Sequence, residues 1–241
     1  MGRHGTIAGR KSAQDARRAA MFTKYTRQII VAAKDGGDPE FNSSLRVAID
    51  KAKAIGMPND NINRAIKKGT GELAGESYDE LLFEGYGPSG VAVIVEALTD
   101  NKNRTAAFVR STFDKNGGNL GTPGCVSYMF SRKGVIFIEK NDNLDEDTVM
   151  MEALEAGADD MIVNQDNFEV RTEATDYHTV LDALKAAGYE IAESEVEFIP
   201  SMESKVDDEA AIKSLHKLID TLDDNDDVQR VSYNCDLPEI E

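Results

Sequence analysis

The hydrophobic pattern of this chain changes period once, and that change divides what it can fold into. From residue 22 to 68 apolar residues recur at helical spacing. GTGELAGES at 69–77 interrupts the pattern. Beyond it, short β-rich runs such as GVAVIVEALT (90–99) and GVIFIEK (134–140) alternate with helical ones. A helical unit followed by an α+β part is the expected architecture.

In the first part, FTKYTRQIIVAAK (22–34) places Phe22, Tyr25, Ile29 and Ala33 on one helical face, and GGDP (36–39) ends that helix. Asp38 as cap and Pro39 at the first position predict a second helix with Phe41, Leu45, Ala48, Ile49 and Ala52 as its stripe. Gly56 is its predicted stop, and PNDNINRAIKKG (58–69) is the third helix. The linker leads to a strand at 90–99, a helix within 100–118 and a strand CVSYMF at 125–130, with glycine-rich joints FEGYGPSG and NGGNLGTPG. From 134 the order is β-α-β-β-α-β, that of a ferredoxin-like split sandwich. A last helix, DEAAIKSLHKLIDTLDD, and a last strand, VQRVSYNC, are orphans unless they complete the 90–130 unit. The expected fold is therefore α+β and multidomain. It has a basic helical domain (1–75), a discontinuous α+β domain (76–132 plus 203–241) and a ferredoxin-like domain (133–202) inserted into it.

Charge follows the same division. The formal net charge is -17. Residues 1–68 hold 14 Lys and Arg against 6 Asp and Glu, a net of +8, and residues 69–241 hold 13 against 38, a net of -25. The acidic part repels polyanions, while the basic part can approach one. The alternative is that the basic segment docks on the acidic body. The cations are densest in GRKSAQDARRAAMFTKYTR (9–27). On a helical wheel Arg10, Arg17 and Lys24 share a line that Arg27 and Lys34 extend, away from the apolar face. Lys11 and Arg18 fall on the side that later becomes apolar. The first twenty residues therefore read as an arm or an exposed helix that packs little, suited to a phosphate backbone.

Other chemistry is sparse. His4, His178 and His216 stand far apart without metal-ligand spacing, and neither GxGxxG nor GxxxxGK occurs. No cofactor, metal or enzymatic activity is expected. Cys125 and Cys235 read as unpaired thiols of a reducing compartment, and no apolar run approaches a membrane span, so a cytoplasmic protein without membrane contact is expected. The loops GYGPSG (85–90) and GGNLG (117–121) are either tight turns or anion cradles, flanked by Lys102, Arg104, Arg110 and Lys115.

SAQDARRAAMFTK, GGDPEFNSSLRVAIDKAKAIGMPNDNINRAIKKGTGE, FEGYGPSGVAVIVEALTDNKNRT and FDKNGGNLG resemble the YebC/PmpR family over essentially the whole chain, most specifically from 12 to 139. The resemblance implies a helical domain and two α+β domains. It also implies one of two roles: a probable transcriptional regulator that binds DNA, or, as in related mitochondrial translational activators, association with ribosomes. His4 and Arg10–Lys11 match the family's AGHSKWANIKHRK start, whereas its tryptophan and second histidine are absent here.

The expected function is a nucleic-acid-binding regulator of transcription. Arg3, His4, Arg10, Lys11, Arg17, Arg18, Lys24 and Arg27 would grip phosphates, and Arg64, Lys67 and Lys68 would extend the surface. In the alternative, a translation factor on ribosomal RNA, the loops with Lys102, Arg104 and Asn119 would also make contact. A third reading is a protein-interaction scaffold, and the acidic domains could present surfaces to protein partners in any of them.

Overall fold

The computed structural model describes residues 7–141 and 143–238, with the backbone alone described for residues 7–17. The first helix, α1 (Ile7–Ala32), is longer than the 22–34 segment that the apolar stripe predicts. Its N-terminal half is rich in alanine, which favours a helix without any packing face. A 3-10 turn at Ala33–Asp35 ends it.

The second helix, α2 (Ser43–Ala54), starts later than predicted. Its cap is Asn42, whose side-chain oxygen accepts from the Leu45 amide, rather than Asp38. The Asn42 amide group also donates to the carbonyls of Ala32 and Gly36, tying the helix start to the end of α1. Asp38 closes a tight turn instead, accepting from the Glu40 amide. Phe41 is thereby left in the loop, 89 % exposed, and not in the stripe. Gly56, at φ 77°, follows the last turn of α2 in the left-handed conformation that suits glycine. The third helix, α3 (Asn59–Gly69), packs on α1 so closely that Gly69 meets the Ile30 carbonyl. Ile29, Ile30, Leu45, Ile49, Ala52 and Ile62 form the core of this unit.

Two four-stranded sheets follow. The first has the order β3-β1-β2-β8: β3 (Asn119–Leu120), β1 (Asp79–Tyr86), β2 (Ala92–Thr99) and β8 (Val228–Tyr233). β2 is its centre, buried at every position except the half-buried Glu96. The helices α4 (Lys102–Lys115) and α7 (Glu209–Asp223) cover one face through Val109, Phe113, Leu215, Leu218 and Leu222. β1 falls where the sequence suggested only a glycine-rich joint. It pairs along its whole length with β2, from Asp79 opposite Thr99 to Tyr86 opposite Ala92.

The strand predicted at CVSYMF is a loop and a 3-10 turn (Ser127–Met129) instead. Its backbone donors are taken by a side chain: the buried Glu84 carboxylate accepts from the amides of Gly124, Val126 and Ser127. Regular pairing resumes at β4 (Phe130–Glu139).

The second sheet has the order β5-β6-β4-β7, with every neighbouring pair antiparallel. Its other strands are β5 (Asp160–Val163), β6 (Asn167–Glu173) and β7 (Ile191–Pro200). α5 (Glu146–Glu155) and α6 (Tyr177–Ala186) close a core of Ile136, Ile138, Val149, Phe168, Val170 and Leu181.

Candidate nucleic-acid interface

The described cations of the helical unit fall into two groups, separated by what each side chain touches. Ten Lys and Arg lie between residues 18 and 75. Six of them are engaged. Arg18 donates Nε to the Ile55 carbonyl at 3.1 Å and Nη2 to that of Gly56, with its guanidinium over the Phe22 ring. A cation at the C-terminal carbonyls of α2 complements that end of the helix. Lys34 donates to the Tyr78 carbonyl.

Lys24 and Arg27 correct the expectation of an exposed basic stripe. Lys24 donates Nζ to the Asp223 carbonyl at the end of α7, and its pKa is lowered by burial against the pull of Asp223, Asp226 and Asp224. Arg27 is 12 % exposed and donates Nη1 to Asp227 Oδ1 at 2.6 Å and to the Leu98 and Asp226 carbonyls. Its guanidinium also lies over the Tyr78 ring. Helical periodicity puts both on the polar side of α1, and that side docks on the first sheet. Both therefore join the helical unit to the acidic body, as the docking alternative proposed.

Arg46 and Lys51 complete the engaged group. Arg46 pairs with Asp182 of α6 at 2.5 Å, beside a Lys185–Asp50 pair and a Ser44–His178 contact. Lys51 lies 3.3 Å from Glu195 of β7. Burial and the nearby Arg230 push its ammonium down to about 8, with Glu193 and Glu197 opposing.

The other four, Lys53, Arg64, Lys67 and Lys68, have no ion-pair or hydrogen-bond partner for their charged ends among the described residues. Arg64 and Lys67 are exposed and Lys68 half-buried, its aliphatic stem close to Gly75. Lys53, which the sequence reading left out, is also exposed. Its position off the α2 stripe was the available signal. Lys53 and Lys67 border a groove of about 540 Å³ between α2 and α3.

Arg3 and His4 lie outside the described residues. Arg10, Lys11 and Arg17 lie on α1, with side chains outside the described set. Lys102 and Arg104 belong to another surface. Lys102 is 3.4 Å from Asp79, and Arg104 is held by Asp100 at 2.7 Å and Asp227 at 2.8 Å. Asp227 thus carries two guanidiniums and a hydrogen bond from Thr105. Burial opposes its charge, yet these hydrogen bonds hold its carboxyl below the ordinary value.

The glycine-rich loops spend several amides internally. Gly90 donates to Gly87, Gly118 to Phe113 and Gly121 to Glu84. The amides of Gly124, Val126 and Ser127 do surround a negative charge, and it is the chain's own Glu84. Among the described residues no helix is long and apolar enough to cross a membrane.

Comparison with known proteins fits this arrangement. The model of the TACO1/YebC protein N-terminal domain matches residues 3–72, and that of the TACO1/YebC second and third domain matches 78–235. A probable transcriptional regulatory protein of Clostridioides difficile is 54 % identical over 238 residues, covering 98 % of this chain and 100 % of the relative. One from Persephonella marina is 53 % identical over 233 residues, covering 96 % and 93 %. The crystal structure of a conserved hypothetical protein, Aq1575, from Aquifex aeolicus superposes with a TM-score of 0.84 at 43 % identity, covering 94 % of this chain and 93 % of that one. Matched by family models along most of its length and by relatives at more than half identity, the chain belongs to the TACO1/YebC family, whose curated relatives are described as probable transcriptional regulatory proteins.

Proposed function

We propose that the protein is a regulator of transcription that binds DNA through its helical unit. The observation that carries this reading is the set of four cations on α2 and α3, Lys53, Arg64, Lys67 and Lys68, whose charged ends have no partner among the described residues. The basic first half of α1, with Arg10, Lys11 and Arg17, supplies further charge, and Arg3 and His4 precede it. Arg18 retains an exposed flank, whereas Lys24 and Arg27 serve the docking interface. Arg104, held by the buried Asp227, serves assembly before any ligand, whereas Lys102 has only an exposed pair with Asp79 and stays accessible. The acidic body would repel a polyanion everywhere else and so confine it to this unit. Fluorescence anisotropy with labelled duplex DNA across a salt series tests the reading. Tight binding that weakens steeply with salt is expected, and the absence of binding at low salt overturns it.

A second reading, binding to folded ribosomal RNA in the cytoplasm, draws support from the shape of the cationic surface. Lys53 and Lys67 border a groove, a concave feature that suits the irregular surface of folded RNA. Sedimentation with ribosomes, and its loss on substituting these cations, tests that reading. The acidic surfaces would then be left for protein partners.

The same reading extends to the architecture. The three-domain partition at 1–75, 76–132 with 203–241, and 133–202 draws support from β8 pairing with β2 across the intervening chain. The antiparallel order β7-β4-β6-β5 with two helices on one face supports a ferredoxin-like reading of the inserted part.

A further inference from the structure

The groove between α2 and α3 has a composition that a phosphate-gripping surface alone does not call for. Its volume of about 540 Å³ lies within the ~300–1,000 Å³ of small-ligand clefts. Its floor is aliphatic: Ile49 and Ile62 are buried beneath it and Ile66 is half-buried at its side. On the wall stand two exposed side-chain amides, Asn59 and Asn63, one helical turn apart on α3. At the rim, Lys53 comes from α2 and Lys67 from α3, both without an anionic partner among the described residues. The one carboxylate of the lining, Glu72, is engaged by the Thr70 hydroxyl at 3.1 Å. The loop that contributes Gly37 and Pro39 to the rim also carries Phe41, 89 % exposed.

We propose that this groove receives a single unstacked nucleobase of a single-stranded nucleic acid segment. The inference rests on the nucleic-acid reading above and gives it a ligand conformation. The isoleucine floor offers an apolar surface to the base plane. The Asn59 and Asn63 amides, each both donor and acceptor, can pair with a base edge, and Glu72 can accept from an exocyclic amine. Lys53 and Lys67 neutralise the phosphates on either side of the inserted nucleotide. Phe41 provides a stacking face for the neighbouring base, as aromatic side chains do in single-strand binding. Charge complementarity selects this occupant over a peptide, since the rim cations have no anionic partner among the described residues and the same lining carries the Asn59 and Asn63 amides. A base within a duplex cannot reach the floor, because its faces are stacked and its edge paired.

The test uses the full chain and a fluorescein-labelled 12-nucleotide single strand with a central 2-aminopurine, as DNA and as RNA, alongside the corresponding duplexes. Expected is tighter binding of the single strand than of the duplex, with a change in 2-aminopurine emission. Asn63→Ala and Asn59→Ala should weaken single-strand binding about five- to tenfold, the weight of one or two hydrogen bonds, and leave duplex binding unchanged. Both sites are exposed, and circular dichroism confirms that the variants fold. Equal affinity for strand and duplex, weakened by Lys53→Ala and Lys67→Ala but not by the asparagine variants, overturns the base slot and leaves the nucleic-acid reading standing. No binding of any of the probes at low salt overturns both.

Discussion

Arg27 and Asp227 meet at 2.6 Å across 200 residues of chain, and both side chains are largely buried. The contact joins α1 to the loop before β8. Asp227 reaches Arg104 from the same carboxylate, and Arg27 reaches the Leu98 and Asp226 carbonyls. A basic residue of the helical unit and an acidic residue of the body are thereby used on each other.

Removing Arg27 strands part of that network. Arg27→Ala should destabilise the protein by about 3 kcal/mol, the low end for breaking a buried pair, because Arg104 still partners Asp227. Urea unfolding measures it. Limited proteolysis should show cleavage near 69–77 appearing earlier than in the wild type.

The carboxyl of Asp227 has a lowered pKa when folded, so its contribution to stability is complete above the unfolded value of ~3.9 and is lost as pH falls through the lowered one. Asp227→Asn should reduce stability by a constant amount from pH 5 to 8, and the difference from wild type should shrink below about pH 4. Unfolding midpoints across that range check this.

Lys51 gives the opposite window. Its folded pKa of about 8 lies below the unfolded ~10.4, so between these values the unfolded chain holds the proton and the folded one does not. Stability therefore gains from this site as pH rises from about 8 to 10. Lys51→Met should flatten that slope in urea midpoints measured from pH 7.5 to 9.5.

The split between engaged and unpartnered cations predicts different salt behaviour. A Lys53→Ala, Arg64→Ala, Lys67→Ala triple variant should lower the slope of log binding constant against log salt by about 3 for duplex DNA. Lys24→Ala should leave that slope unchanged and lower stability instead, since its ammonium is held by the Asp223 carbonyl.

Gly69 tests the packing of α3 on α1. A Cβ there would lie 2.6 Å from that of Ala33 and would also collide with the Ile30 carbonyl. Gly69→Ala should cost about 1–3 kcal/mol through overpacking, measured by thermal unfolding.

Much of the fold was legible because burial follows local periodicity. The helices expected in PNDNINRAIKKG and DEAAIKSLHKLIDTLDD and the strand expected in GVAVIVEALT stand where their patterns place them, as α3, α7 and β2. β1 was not legible. In DELLFEGY only Glu84 and Gly85 are buried, so it carries no apolar alternation, and its pairing is fixed by β2. CVSYMF has the local pattern of a strand, and nothing local reveals that Glu84, some forty residues earlier, takes amides in and beside it. Asp38 and Pro39 are good start signals, and a helix begun there carries Phe41 on its apolar face. Asn42 won the cap because its amide also binds the end of α1.

The candidate site divides along the same line. That positive charge gathers in the first 68 residues and that the body is acidic follows from composition alone. Helical periodicity also determined which side of α1 is polar. Which cations remain available depends on how the helices pack on the body. A polar side can face water or a partner's carboxylates, and the partners of Lys24 and Arg27 lie about 200 residues away, beyond the reach of any periodicity within one helix. Docking one side of the helical unit on the acidic body consumed those charges and left Lys53 and Lys67 at the α2–α3 groove, with Arg64 and Lys68 on α3, for a ligand.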